Sequence, residues 1–216
     1  MPKLVDHAKR RTDIAALTVN VIQKIGIENA TVRRIAREGG FSVGVLSHYF
    51  QDKDELLGFA FNWQAEEVAR VIEEGVRGTR PGIERLRRSL QAMIPKDEDA
   101  PTAIVVWLNF WARAHHSTKL AAQHQQLYSD WRSRVQGYLE EAIEAGEAVR
   151  PPSLEDAVDL LISGMDGLWI AMTLEPKRFP PQRRQALVRK LVDDIAGAPA
   201  KARAPRRPRS RSGKSG

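Results

Sequence analysis

The chain of 216 residues contains no cysteine, which excludes disulfides and any zinc site built on thiolates. Several catalytic patterns are missing too. There is no HExxH pair, no nucleophile elbow, no phosphate-cradling glycine loop and no paired-acid motif, so the common sequence signs of catalysis are absent. His115, His116 and His124 raise the question of a metal, but adjacent histidines at a helix end seldom converge on one ion. We therefore expect neither an enzyme nor a metal or cofactor. No internal repeat and no strand-like alternation is visible, and no apolar run reads as long enough to span a bilayer. Met1 to Arg11 is polar and basic rather than a secretion signal. A soluble, cytoplasmic chain with no membrane partner is expected.

Acid is absent from one further place. Gly197 to Gly216 holds seven Lys/Arg and no Asp/Glu, so it accounts for the whole net charge of +7. Residues 1–53 hold nine Lys/Arg against five Asp/Glu, and residues 54–196 hold 18 against 22. A basic amino-terminal module thus precedes an acidic middle. This division sets three expected units: a head over 1–53, a helical body over 54–196 and a disordered basic tail over 197–216. The tail reads either as a solvated extension or as a non-specific attractor of nucleic acid.

Helical periodicity runs through the rest, and about nine helices in an all-α fold are predicted. Residues 6–25 carry the stripe Ile14, Leu17, Thr18, Val21, Ile22 and Ile25. Asp52 opens a long helix to about Gly78, with Leu56, Leu57, Phe59, Ala60, Trp63, Val68, Val71 and Ile72 as its apolar positions. Gly82 to Met93 follows Pro81. Ala103 to Ala114 is apolar on nearly all faces and reads as buried. Ser117 to Ala145 is long and mostly polar. Pro151 and Pro152 break the chain before Ser153 caps another apolar helix, and Pro181 opens the last.

The informative stretch is Thr31 to Lys53, TVRRIAREGGFSVGVLSHYFQDK. Thr31 is suited to cap a short helix bearing Val32, Ile35 and Ala36 inward and Arg33, Arg34 and Arg37 outward. Gly39 and Gly40 stop it. Ser42 caps a second short helix, and Asp52 a third with Glu55 three residues on. A short helix, a glycine turn and a second short helix are the parts of a helix-turn-helix, in which the second helix enters the DNA major groove. A hairpin that merely packs is the alternative, but such a hairpin has no need of Lys53 or of the Ser42-Val43-Gly44 start.

The order and spacing of Thr31, Ile35, Ala36, Gly40, Ser42, Gly44, Tyr49, Phe50, Lys53, Leu56 and Leu57 resemble the DNA-binding domain of TetR-family transcriptional regulators, over roughly residues 8–58. Gly39 departs from the pattern, since many members carry alanine there. The resemblance implies a dimer on double-stranded operator DNA, with Thr31, Ser42 and Tyr49 at phosphates and Lys53 at the start of the next helix. Val43, Gly44, Val45, Ser47 and His48 then lie on or beside the groove-facing side. Val43 and Val45 are suited to thymine methyl groups, and Arg33 and Arg34 are further phosphate candidates. The resemblance also implies dimerisation through the last two helices.

A second site is drawn from Trp107, Phe110 and Trp111 on one apolar helix and Asp166 and Trp169 on another. A carboxylate within an apolar helix must find a partner or shift its pKa. Indoles around one carboxylate suit a small organic cation, such as a quaternary ammonium. VWLNFWA at 106–112 and MDGLWIA at 165–171 are similar to segments of the betaine-synthesis repressors, which respond to choline. Two other readings stand beside this one. The tryptophans are equally suited to a core, and Asp166 to a partner such as Arg113 or a second subunit. Gly164 and Gly167 could serve close helix contact at a dimer interface.

Overall fold

The computed structural model describes residues 7–95 and 102–197. Among the described residues there are nine helices and no strand: α1 His7–Ile25, α2 Val32–Glu38, α3 Val43–Tyr49, α4 Lys53–Val76, α5 Ile83–Ala92, α6 Thr102–Ala114, α7 Thr118–Glu144, α8 Leu154–Leu174 and α9 Pro181–Ala196. The expected tail lies outside them beyond Gly197.

Polar caps fix where these helices begin. The side chains of Thr31, Ser42, Asp52, Ser117 and Ser153 each accept a backbone N–H three residues on, satisfying donors that a helix start otherwise leaves bare. Glu55 reaches back to accept from Gln51 N–H at 2.8 Å, one residue before the cap itself.

α1 lies along the first half of α4 and closes α2 and α3 beneath it, while α5, α7, α8 and α9 pack as the body. The buried set is continuous from Ile14 through Phe61 and Phe110 to Ala196. Val71 was expected inside and is 42% exposed, whereas Phe61 and Gln64, outside the expected stripe, are buried. α4 changes partners along its length, from α1 near its start to α5 further on, so no single stripe describes it.

α8 departs from expectation in another respect. It spans 21 residues, and an 18-residue stretch of it has a mean hydropathy of 1.4, long and apolar enough to cross a membrane. Here Leu161, Ile162, Met165 and Trp169 are buried against the rest of the bundle. Gly164 serves that packing: a Cβ there would meet Leu191 of α9 at 2.8 Å. Gly167 has no such neighbour. Leu160, Ile170 and Leu174 stay exposed at 60%, 39% and 73%, at helical spacing on the outward side.

Four contacts fasten the corner after α1 and the start of α4. Asn109 of α6 accepts from Ile27 N–H at 3.0 Å, and Lys53 Nζ donates to the Ile27 carbonyl at 3.3 Å. Asp54 receives Arg113 at 3.1 Å and the Ser117 hydroxyl at 2.7 Å. The Ser117 hydrogen bond foremost, and Arg113 after it, hold the Asp54 carboxyl below its usual range despite burial.

Candidate nucleic-acid interface and effector cavity

The turn between α2 and α3 is a Schellman closure. Phe41 N–H donates to Ala36 O at 2.8 Å and Gly40 N–H to Arg37 O at 3.2 Å, with Gly40 at φ +67. Gly39 sits at φ −91, an ordinary conformation, so its need for glycine is spatial. A Cβ there would collide with Leu17 Cδ2 and would meet the Phe41 ring at 2.6 Å. The departure at Gly39 therefore admits the Phe41 ring over the turn. Gly39→Ala is expected to cost about 1–3 kcal/mol through overpacking, read as a lower urea midpoint.

Set on this turn, α3 faces two ways. Leu46 and Phe50 are buried, while Val43 and Val45 are 42% and 37% exposed and Gly44, Ser47 and His48 are exposed. A Cβ on Gly44 would touch Ser42 Oγ alone, at 3.8 Å, so the free space beside that backbone lies outward. Thr31, Arg33, Arg34 and Arg37 line a shallow groove along α2. Arg34 also pairs with Glu38 at 2.9 Å.

Two of the expected contact residues have internal work as well. Lys53 is half-buried on the Ile27 carbonyl. Tyr49 is half-buried, and its carbonyl accepts from Arg11 at 2.7 Å. Arg11 was not expected here. Its guanidinium lies 4.5 Å from the Phe50 ring and 4.6 Å from Phe59, and it pairs with Glu55 at 3.1 Å. It thereby fastens α1 to the end of α3 and the start of α4. The visible sign of this in sequence was only a basic first turn.

The second site is a cavity of about 320 Å³ between α4, α6, α7 and α8, with Trp107, Tyr128, Trp131, Asp166 and Trp169 among its walls. Trp107, Asp166 and Trp169 are thus brought together as expected, but Phe110 and Trp111 are not part of this lining. Phe110 is fully buried against Phe61, ring centres 3.9 Å apart, and Trp111 is half-buried against the core. Tyr128 and Trp131 take their place. The sign available in sequence was their three-residue spacing on α7, which puts them on one face.

Asp166 does not pair with Arg113, which is engaged by Asp54. Its partner is Tyr128, whose hydroxyl donates to the two carboxylate oxygens at 3.2 and 3.0 Å. Burial pushes the Asp166 carboxyl up to about 6, against the pull of that hydrogen bond and of Arg132. Burial first, and the Asp166 charge next, drive the Tyr128 pKa upward, so the phenol stays a donor. Behind it His124 stacks on Tyr128 at 4.2 Å, its pKa lowered by burial and then by Arg132. At neutral pH the cavity therefore holds a carboxylate among aromatic faces, an arrangement that attracts a cation. Among the described residues, the indole N–H groups of Trp107 and Trp169 are buried without a hydrogen-bond partner.

Two family descriptions match separate stretches of this chain. The family described as "Bacterial regulatory proteins, tetR family" matches residues 14–58, and that described as "BetI-type transcriptional repressor, C-terminal" matches residues 82–197. The HTH-type transcriptional regulator PksA of Bacillus subtilis is 34% identical over 90% of this chain and 94% of its own. The HTH-type regulator BetI of Escherichia coli K12 is 29% identical over 89% and 96%. Among solved structures, a Rhodococcus sp. Rha1 transcriptional regulator superposes with a TM-score of 0.76 at 26% identity, covering 87% of this chain and 97% of that one. A Saccharomonospora viridis regulator solved in complex with choline has a TM-score of 0.77 at 18% identity, covering 86% and 96%. The relatives are regulators rather than enzymes, and this chain belongs to the TetR family of bacterial transcriptional regulators.

Proposed function

We propose that the protein is a homodimeric repressor that binds a palindromic operator and is released by a small organic cation. The observation that carries this reading is the two-sided α3: a helix capped and anchored on one side, with Val43, Gly44, Val45, Ser47 and His48 open on the other. Residues 1–53 act as the DNA-reading head and residues 54–196 as the effector and dimerisation body. Thr31, Arg33, Arg34, Ser42, Tyr49 and Lys53 meet phosphates, and the open side of α3 meets base edges. Such a protein works beside the chromosome, in the cytoplasm.

Two copies present two recognition helices to half-sites about one helical turn apart. The exposed Leu160, Ile170 and Leu174 of α8, together with α9, form the mutual face, because an apolar stripe of this kind gains by burial against its own copy. The inducer site is the aromatic cavity. Trp107, Tyr128, Trp131 and Trp169 offer ring faces to the cation, Asp166 offers charge, and the free indole N–H groups favour an occupant that also carries an acceptor oxygen. The likeness to the choline-bound regulator speaks for the fold alone, so the cavity's own chemistry carries the ligand class. Binding shifts the operator equilibrium only through a difference in affinity between the bound and free states.

The test is a footprint on the DNA upstream of the protein's own gene, repeated with choline and with other quaternary ammonium compounds. A footprint with dyad symmetry that weakens with cation is expected. Truncation after residue 196 should leave sequence-specific binding in place. Loss of all binding on truncation would instead make the protein a non-specific nucleic-acid binder driven by its basic tail. A footprint without dyad symmetry would remove the paired-head reading.

A further inference from the structure

His7 opens α1 and is exposed, in line with Ile14 and Thr18 of the buried face but beyond the packed part of that helix. Its ring nevertheless lies 4.5 Å from the Tyr49 ring at 40° and meets the His48 ring edge-on at 6.0 Å and 75°. His48 and Tyr49 themselves stand 5.3 Å apart at 80°. A ring from the first turn of α1 thus joins two rings from the last turn of α3. Arg11, one turn further along α1, anchors the same junction by donating to the Tyr49 carbonyl. The two residues share a face of α1 and press on the same end of the recognition helix.

An exposed imidazole in this place adds little to the core. Its effect is on freedom of rotation. His48 is an exposed side chain on a short helix, and ordering such a side chain on binding costs affinity. Aromatic neighbours at these separations prefer tilted and edge-on arrangements, which restricts both His48 and Tyr49 before any DNA arrives.

We propose that His7 is a positioning residue for operator reading: its ring holds His48 and Tyr49 in the orientation in which α3 presents them to the groove. The proposal rests on α3 being the recognition helix. His7 need not touch DNA for this role, and its contribution is separable from that of any phosphate contact.

The probe is the palindromic duplex that the wild-type full chain enriches from a random-sequence pool, measured alongside its single-base variants. His7→Ala is expected to weaken binding about three- to tenfold, the loss of one to two ring contacts, and to narrow the discrimination among half-site variants. Because no phosphate contact is lost, the slope of affinity against salt stays the same. His7→Phe, which keeps the ring and removes the ring nitrogens, should bind within about twofold of wild type with discrimination intact. Wild-type affinity and discrimination in His7→Ala would overturn the proposal. So would a His7→Phe variant as weak as His7→Ala with a shallower salt slope, since His7 would then be a phosphate donor. A His7→Ala melting curve well below wild type would also overturn it, in favour of helix-end stability. If the wild-type chain enriches no duplex, the reading of α3 as the recognition helix fails, and that outcome is distinct from any behaviour of the variants.

Discussion

Asp166→Asn is expected to make the ligand-free protein more stable at neutral pH while abolishing its response to cations. In the unfolded chain this carboxyl titrates near 3.8, and in the folded one at about 6, because burial penalises its charge. Between those pH values the folded state keeps a proton that the unfolded state has released. Stability from this group is therefore full below about pH 4, falls as pH rises through about 6, and is flat above. The two-unit difference corresponds to about 3 kcal/mol at neutral pH. Asparagine has no charge to bury, and its side-chain oxygen still accepts from the Tyr128 hydroxyl. Urea denaturation of both proteins from pH 4.5 to 7.5 should show the variant gaining roughly 1–3 kcal/mol by pH 7, with the gain shrinking toward acid. Thermal upshift by choline, and its loss below about pH 6 in the wild type as the carboxylate protonates, reads the other half. A variant less stable than wild type at pH 7 would make Asp166 a structural anchor rather than a charge held for an occupant.

Phe110→Ala is expected to do the opposite: a large loss of stability with ligand and operator affinities preserved below the melt. Its side chain is fully buried, its ring centre lies 3.9 Å from that of the tilted Phe61 ring, and Trp107 meets it edge-on at 5.8 Å. Truncating such a ring costs about 3–5 kcal/mol, part transfer free energy and part residual cavity. Trp107→Ala makes the comparison informative, because Trp107 lines the effector cavity and its removal should blunt the cation response. Denaturation midpoints paired with cation titrations separate the two. Phe110→Ala losing cation affinity with little change in stability would return it to the binding wall.

These two residues also mark how far the sequence could be read. Periodicity and caps were legible because they are local: Thr31, Ser42, Asp52, Ser117 and Ser153 each cap a helix through an oxygen three residues from its target. The head was legible for the same reason, its turn being set by Gly40 and its caps within a few residues. The cavity was half legible. Trp107 and Trp111 share a face by spacing, yet only Trp107 lines the cavity, while the Trp111 indole acts one turn on at the Tyr128 phenol. Tyr128 and Trp131 come from α7, and which face of α7 meets α8 is decided by packing between distant segments. The Asp166 partner was hidden likewise, since Tyr128 is 38 residues away.

Asn109 stands two residues from Trp107 on α6, and its amide supports the corner at Ile27 just ahead of α2. One stiff rod is therefore both a wall for the occupant and a bracket for the reading head. A displacement of that rod would reach the Ile27 corner without passing through the long strut of α4.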